Sequence, residues 1–413
     1  MAPNSGKSPN RQLLRKIMDV SQTADKLRLV GRQPIKLQSF EEISKRCEAL
    51  VGRVRGAMLA PTSRKIAPTF GTAQMTALLG LDAKQVDYQA KRGHLPSGQL
   101  SAKGGRRVFT LADARVWSRE IRKSKLRPAN AEAVTLVVAN FKGGVTKTTT
   151  AVTLAQGLSL RGHRVLMIDG DPQGSATTLF GLLPDVDIDE DSTLLPLLRG
   201  NTDSVAYAIR ETYWDGVDLV PAAADLFSAE FDLPALQLKN RNFQFWNVLN
   251  SGIDAARLEY DVIIIDTPPS LSYLTTNALM AADGILMPLP PSALDFLSSA
   301  QFWGLISGLT QGLEQHGANK EFDFVDILLS KVDPDDTATP VVREWISAAY
   351  GEKLMSMEIP LTASAGSAAA EFGTVYDQPR KRATQAYDRM VDAIEQQIGT
   401  AWIRQLAQQR TAP

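Results

Sequence analysis

The pattern of hydrophobic positions changes character along the chain, and the changes mark its elements. Near the start Leu13, Ile17 and Val20 recur on one helical face, followed by Leu27, Leu29 and Val30, until Pro34 ends the run. Phe40, Ile43, Cys47, Leu50 and Val54 continue at the same period. A stripe of this kind serves as a dimerisation arm or as a packing helix, and the pattern leaves both open. From Thr69 to about Lys125 a compact unit is predicted. Thr72 caps a helix reaching Leu79, with Met75, Leu78 and Leu79 inward. Gly80 turns tightly, and a second helix runs from about Asp82 to Arg92. A loop with Gly93, His94, Leu95 and Pro96 follows. Gly105 to Thr110 then alternates like a strand, and Leu111 to Trp117 returns to helix. The Pro61 to Pro68 stretch and the charged Arg122 to Ala133 stretch read as linkers.

From Ala133 onward strands alternate with helices. Ala133 to Ala139, Val165 to Ile168, Tyr260 to Ile265, Leu286 to Leu289 and Phe324 to Leu329 are nearly continuous apolar runs. Such runs fit strands buried on both faces of a parallel sheet. Helices are expected after Thr150, over Leu294–Leu313 and Pro340–Tyr350, and at the end through Tyr387, Met390, Val391, Ile394, Ile398, Trp402, Ile403 and Leu406. Asp185 to Asp191 reads as a solvated acidic loop. Residues 192–250 carry a weaker pattern, and their aromatics Trp214, Phe227, Phe231, Phe243, Phe245 and Trp246 are expected in the core.

Composition adds four points. A chain of 413 residues with 44% hydrophobic content can fill about two to three domains. The zero net charge hides a segregation: residues 1–130 hold 26 Lys+Arg against 9 Asp+Glu, and residues 131–413 hold 19 against 36. A basic N-terminal third joined to an acidic remainder suggests a nucleic-acid-binding module fused to something else. The single cysteine, Cys47, leaves no intramolecular disulfide and no cysteine-rich metal site. No run of about 18 apolar residues predicts a transmembrane helix, and the polar start shows no signal peptide. A cytosolic protein is the simple expectation.

The candidate chemistry sits at the ends of the predicted strands. After the first, Lys142, Gly143, Gly144, Val145, Thr146, Lys147, Thr148 and Thr149 lead from strand to helix. In that setting backbone N–H groups and a helix N-terminus hold phosphates, Lys147 neutralises their oxygens, and the Thr148 hydroxyl can ligate Mg²⁺. The second strand ends in Asp169-Gly170-Asp171-Pro172-Gln173, two carboxylates placed for Mg²⁺ and water. The third is closed by Asp266, with Thr267, Pro268 and Pro269 after it. On the second helix of the basic unit, Lys84, Gln85, Tyr88, Gln89, Lys91 and Arg92 supply cations for phosphates and amides for adenine edges.

The loop departs from G-x-x-x-x-G-K-[ST], because Phe141 and Thr146 occupy its two glycine positions. What it matches is K-G-G-x-x-K-T, which resembles the deviant Walker A of the ParA/MinD superfamily of ATPases. The D-x-D-P-Q run and the Asp266 strand resemble the same superfamily, from residue 133 to about 395. The unit at Thr69–Lys125 resembles the winged helix–turn–helix of MerR-like domains, with Arg106 and Arg107 on phosphate or in a minor groove. Together these resemble the larger ParA type of partition ATPase. The resemblance implies an α/β fold, a P-loop NTPase-like, mostly parallel sheet flanked by helices. A mainly helical winged helix–turn–helix domain and an N-terminal helix would precede it. The expected divisions are an arm over 1–60, the DNA-binding domain over 61–127 and the ATPase domain over 128–413.

The resemblance also implies a cycle. A homodimer sandwiches two ATP molecules with Mg²⁺, and ADP remains after hydrolysis. Lys142 reaches the phosphates of the other subunit, Lys147 holds those of its own, Asp171 orients or activates the attacking water, and Thr148 and Asp266 serve the metal. The dimer binds nucleoid DNA without sequence preference, and a ParB-like centromere-binding protein stimulates hydrolysis. The basic unit binds an operator and represses its own operon. Nonspecific contact is expected from Arg380, Lys381 and Arg382, since Ile359 to Ala365, where many relatives carry an arginine, has no basic residue. The alternative is a nucleotide-sensing transcriptional regulator without a partition role. A MinD-like membrane regulator would need a basic amphipathic tail, and residues 395–410 carry only Arg404 and Arg410. An iron–sulfur electron carrier would need cysteines in the ATPase domain.

Overall fold

The computed structural model describes residues 35–58, 65–100, 106–184, 186–318, 320–361, 373–377 and 381–411. The chain divides between Lys65 and Ile66 into two units. In the first, α1 (Gln38–Met58) is one helix with an i,i+4 Lys45–Glu41 ion pair. Phe40, Ile43 and Leu50 lie exposed on it. The helix expected through Leu13 and Val20 lies outside the described residues.

The second unit begins with β1 (Phe70–Gly71), α2 (Thr72–Leu79), α3 (Ala83–Arg92), β2 (Gln99–Leu100), β3 (Arg107–Phe109) and α4 (Leu111–Ile121). Helix α2 starts at Thr72, but Thr72 is not its cap. Gly71 is the N-cap residue, and its N–H donates to Gln74 Oε1 at 2.8 Å. Gly80 ends α2 in the left-handed conformation, and Asp82 caps α3 by accepting from Gln85 N at 2.7 Å. The three short strands form a sheet in the order β1-β3-β2. Met75, Val86, Phe109, Ala114 and Trp117 make a small core, with Phe109 and Trp117 edge to face at 6.1 Å. The arrangement is a helix–turn–helix followed by an antiparallel hairpin.

The main sheet follows: β4 (Val134–Val138), α5 (Lys147–Leu160), β5 (Val165–Asp169), α6 (Ser175–Leu179), β6 (Arg210–Glu211), β7 (Val217–Val220), α7 (Ala229–Lys239), β8 (Val262–Asp266), α8 (Tyr273–Ala281), β9 (Gly284–Leu289), α9 (Ala293–Glu314), β10 (Phe324–Val332), α10 (Thr339–Tyr350), β11 (Leu354–Pro360) and α11 (Lys381–Thr411). Its order is β11-β10-β9-β4-β8-β5-β7-β6, and only β6 runs antiparallel to its neighbour. Strands β4, β5 and β8 are buried throughout, because helices cover both faces. One core lies on each side: Leu226, Ile285 and Phe302 on one, α5 with Tyr387, Met390 and Trp402 on the other. The fold is P-loop NTPase-like.

Two expectations are corrected here. Trp214 is buried, but Phe227 and Phe231 are 58% and 67% exposed and meet each other edge to face at 5.7 Å. Phe227 lies in a 3₁₀ turn at Ala224–Ser228 and Phe231 in the first turn of α7, both on the solvent side. Arg122 to Ala133 is no free linker. It contains a 3₁₀ turn at Lys123–Lys125, Arg127 pairs with Asp261 at 3.1 Å, and Arg122 pairs with Glu395 of α11. Charges that mark a linker by composition here meet buried carboxylates 134 and 273 residues later.

Glu395 is the centre of one such cluster, with His163 Nε2 2.9 Å from Oε1 and Arg122 on Oε2. Burial raises its carboxyl, but hydrogen bonds from His163 and Arg122 and their charges hold it at about 2. A carboxyl lowered on folding adds stability above its unfolded value, and that stability is lost as pH falls through the folded value. With partial solvent screening the contribution is about 1–2 kcal/mol at neutral pH. Urea melts of Glu395→Gln and the parent should therefore differ by about this much at pH 6, and the gap should narrow as pH falls from 4.5 to 2. A gap constant over that range would show that the ion cluster is not its source.

Candidate phosphate and metal site

The loop after β4 is anchored by its own hydrogen bonds. Asn140 leaves the strand buried; its Nδ2 donates to the Pro288 carbonyl at 2.9 Å and its Oδ1 accepts from Lys142 N at 3.0 Å. Ser330 of β10 donates to the Val145 carbonyl at 3.1 Å. Between these anchors Gly144 takes φ 77°, and so does Thr146, a conformation rare for a threonine. A Cβ at Gly143 or Gly144 would meet no protein atom within 4 Å. The glycines there serve backbone conformation and close ligand approach rather than packing. α5 begins at Lys147, so its unpaired N–H groups face the same loop.

Lys147 is 7% exposed and its Nζ donates to the Lys142 carbonyl at 3.2 Å. Burial lowers its amine, and the charges of Asp266 and Asp171 oppose that. Lys142 points elsewhere: its Nζ lies 3.0 Å from Asp295 Oδ1, in the first turn of α9.

The carboxylates come from adjacent parallel strands. Asp169 and Asp266 are register partners at the ends of β5 and β8. Asp169 is fully buried, and burial pushes its carboxyl up to about 6. It accepts from the Thr177 N–H and hydroxyl, both at 2.8 Å, and from Asp171 N at 3.2 Å. Asp169 therefore anchors the turn that carries Asp171, and Asp171 Oδ1 is held by Gln173 N at 3.0 Å. Thr177 was not singled out in the sequence; a hydroxyl eight residues after a strand-end aspartate was the available signal.

Asp266 is fully buried, and neither carboxylate oxygen has a hydrogen-bond partner of normal geometry among the described residues. Burial and then the Asp169 charge push its carboxyl well above the usual range, while the nearby Thr148 hydroxyl and Lys147 oppose the rise. A buried orphan carboxylate beside a threonine hydroxyl is a fitting place for a hydrated divalent cation. Among the described residues no cluster of three or more His, Cys, Asp or Glu side chains could hold a metal alone. A cation here would be completed by water and phosphate oxygens.

The structure thus brings Lys147, Thr148, Asp171 and Asp266 together and holds Lys142 at the rim. The DNA-contact candidates lie on α3, at β3 and at the start of α11. Lys84, Tyr88, Lys91 and Arg92 are exposed, with Arg92 over the Tyr88 ring at 5.1 Å. Gln89 is half-buried. Gln85 is committed to capping, its Oε1 accepting from Asp82 N at 2.8 Å. Arg106 is exposed, whereas Arg107 donates to the Ser97 carbonyl and lies 3.7 Å from Asp87. Arg382 is exposed at the start of α11. Arg380 and the Lys381 side chain lie outside the described residues, as do residues 362–365 of the segment lacking a basic side chain. No helix among the described residues is long and apolar enough to cross a membrane.

Comparison with known proteins places the chain's family and fold. Residues 133–317 match a family model described as an AAA domain. The chain is 31% identical to protein SopA of Escherichia coli (strain K12) over 77% of its own length and 83% of SopA. It is 34% identical to the chromosome partitioning protein ParA of Caulobacter vibrioides (strain NA1000 / CB15N), over 54% of this chain and 79% of that one. Among solved structures, one described as a partition protein superimposes with a TM-score of 0.60 at 20% identity, covering 87% of this chain and 97% of that chain. The cobyrinic acid a,c-diamide synthase of Mycobacterium smegmatis with bound ADP and magnesium gives 0.51 at 29% identity, over 63% and 94%.

Proposed function

The chain belongs to the ParA family of partition ATPases, and from that premise we propose that it hydrolyses ATP with Mg²⁺ to drive DNA partition. The observation that supports this most is the convergence of Lys147, Asp171 and the orphaned Asp266 on one phosphate-binding loop. The N–H groups of residues 143–149 and Lys147 bind the phosphates. Thr148 and Asp266 would hold Mg²⁺, which when bound would neutralise phosphate charge. Asp171 accepts the proton of the attacking water or orients it. DNA and a ParB-like protein are the partners that this reading requires, and the nucleoid is where the protein would act. ATP turnover measured alone, with DNA, and with DNA plus the product of the neighbouring gene tests it. Turnover unresponsive to both would favour the nucleotide-sensing regulator.

Lys142 acts across the dimer in this reading, so it must leave Asp295 when the second subunit arrives. Lys142→Gln is expected to lose ATP-dependent dimerisation and hydrolysis while still binding ADP. Light scattering with ATP reads the first, and undiminished dimerisation would count against the sandwich.

The helix α3 reads an operator. Replacing Lys84, Lys91 and Arg92 by alanine together should reduce the salt slope of DNA binding by about 3 units. Gln89→Ala should weaken operator binding by about 1–3 kcal/mol and leave random DNA nearly unaffected. Gln85→Ala is expected to act through lost capping, at about 1 kcal/mol of stability. Footprinting with salt titration separates these outcomes. Nonspecific binding with the parent's slope in an Arg382→Ala variant would remove that residue from the DNA surface.

A further inference from the structure

Among the described residues, the non-glycine residues with positive φ are Thr146 at 77° and Lys331 at 50°. One hydrogen bond joins the residues just before them. Ser330 Oγ donates to the Val145 carbonyl at 3.1 Å, and Ser330 is fully buried. The left-handed conformation is uncommon for any side chain and least natural for a β-branched one such as threonine. Strain of this kind persists only where the surroundings hold it in place.

The chain is bent on both sides of this bond. β9 separates β10 from β4, so the Ser330 hydroxyl reaches the loop after β4 from two strands away. Between Leu329 and Val332, β10 advances three residues while β11 advances two. An extra residue of this sort bends a strand and re-aims a side chain. Ser330 and Lys331 lie inside that step. On the loop side, Asn140 holds the start of the turn through Pro288 and Lys142 N, and α5 begins at Lys147. The Val145–Thr146 peptide lies between these fixed ends. A planar trans peptide points its carbonyl and the following N–H in opposite directions. With the Val145 carbonyl held toward Ser330, the Thr146 N–H is turned away from β10.

We propose that Ser330 is a positioning residue for phosphate binding, its hydroxyl clasping the Val145–Thr146 peptide so that the Thr146 N–H joins those that meet phosphate. The proposal rests on the reading of residues 143–149 as the phosphate loop. Without the clasp the peptide rotates. Rotation relieves the backbone at Thr146 and turns the Val145 carbonyl oxygen toward the anion, which repels it. Affinity then falls in proportion to the fraction of loops still in the clasped form. The strain at Thr146 and Lys331 is thereby converted into preorganisation of the loop.

Titration of the full chain with MgADP, and competition by inorganic pyrophosphate, test the clasp. Ser330→Ala should weaken both by about tenfold, the size expected when a buried carbonyl loses its donor. Thr146→Gly in the Ser330→Ala background should bring both back to within about threefold of the parent, because glycine holds that conformation without strain. KM for ATP should rise with ADP affinity while kcat falls less than about threefold, since an N–H that binds phosphate equally before and during reaction sets KM. Ser330→Cys keeps the volume and weakens the donor; its intermediate loss keeps the test open where Ser330→Ala does not fold. A merely structural serine would lower the melting temperature and leave both affinities unchanged. The parent's affinity for ADP in Ser330→Ala overturns the proposal, and so does a loss for ADP that pyrophosphate does not share. Absence of ADP and pyrophosphate binding in the parent overturns the phosphate-loop reading and the clasp with it.

Discussion

Replacing Asp171 by alanine is expected to slow ATP hydrolysis about 10²- to 10⁴-fold while ATP still binds, the range typical of losing a positioned proton acceptor. The reason lies in how firmly this carboxylate is placed. Its backbone N–H is tied to Asp169, its Oδ1 to Gln173 N, and Asp169 is itself pinned by two bonds from Thr177. It is 8% exposed, and its charge is close enough to raise the Lys147 amine. A group held this rigidly can meet a water at the outer phosphate without reorganisation. Phosphate release and nucleotide binding measured side by side separate the two effects. Unchanged hydrolysis would remove Asp171 from its role. Thr177→Val should show a smaller loss of the same kind, since it loosens the anchor and spares the carboxylate.

Replacing Lys147 by alanine should weaken ATP and ADP binding by about 2–5 kcal/mol, roughly 30- to 4,000-fold, as truncating one member of a desolvated charge pair does. The same change should scarcely disturb the fold. Burial already depresses the Lys147 amine, so its charge costs folding free energy rather than supplying it. Without nucleotide, the variant should melt within a few degrees of the parent. A second consequence follows at Asp266. Lys147 is one of the groups restraining that carboxyl's rise, so its removal should push the carboxyl further up and weaken Mg²⁺ binding. Isothermal titration with MgADP, and with ADP alone, reads both. Nucleotide affinity within about threefold of the parent would show that the loop backbone alone carries phosphate binding.

How much of this was legible beforehand depends on how local each feature is. Lys142 to Thr149 lie in one short run between an apolar strand and a helix, so the phosphate loop could be placed from sequence. The strands ending in Asp169 and Asp266 were equally plain, because five consecutive buried residues leave little choice of element. The helix–turn–helix spacing was readable from Gly80 and Asp82, which set a left-handed turn and a cap. Side-chain duties inside it were not: Gln85 and Arg107 carry the chemistry of DNA contact, yet one caps its own helix and the other binds a carbonyl.

By itself, then, the sequence determined five strands of the main sheet, the loop proposed to meet phosphate, and which acidic residues end the central strands. These follow from backbone propensity and from chemistry packed into short segments. Only the tertiary structure decided that Asp266 is an orphan carboxylate, that Lys142 rests on Asp295, that Phe227 and Phe231 face outward, and that the arginines of α4 grip the end of α5. The Lys142 and α4 contacts depend on neighbours distant in the chain, and the other two on what the fold leaves beside the side chain. Whether a charge is solvated, paired or left alone is set by what the fold packs against it, and no local pattern of residues carries that information.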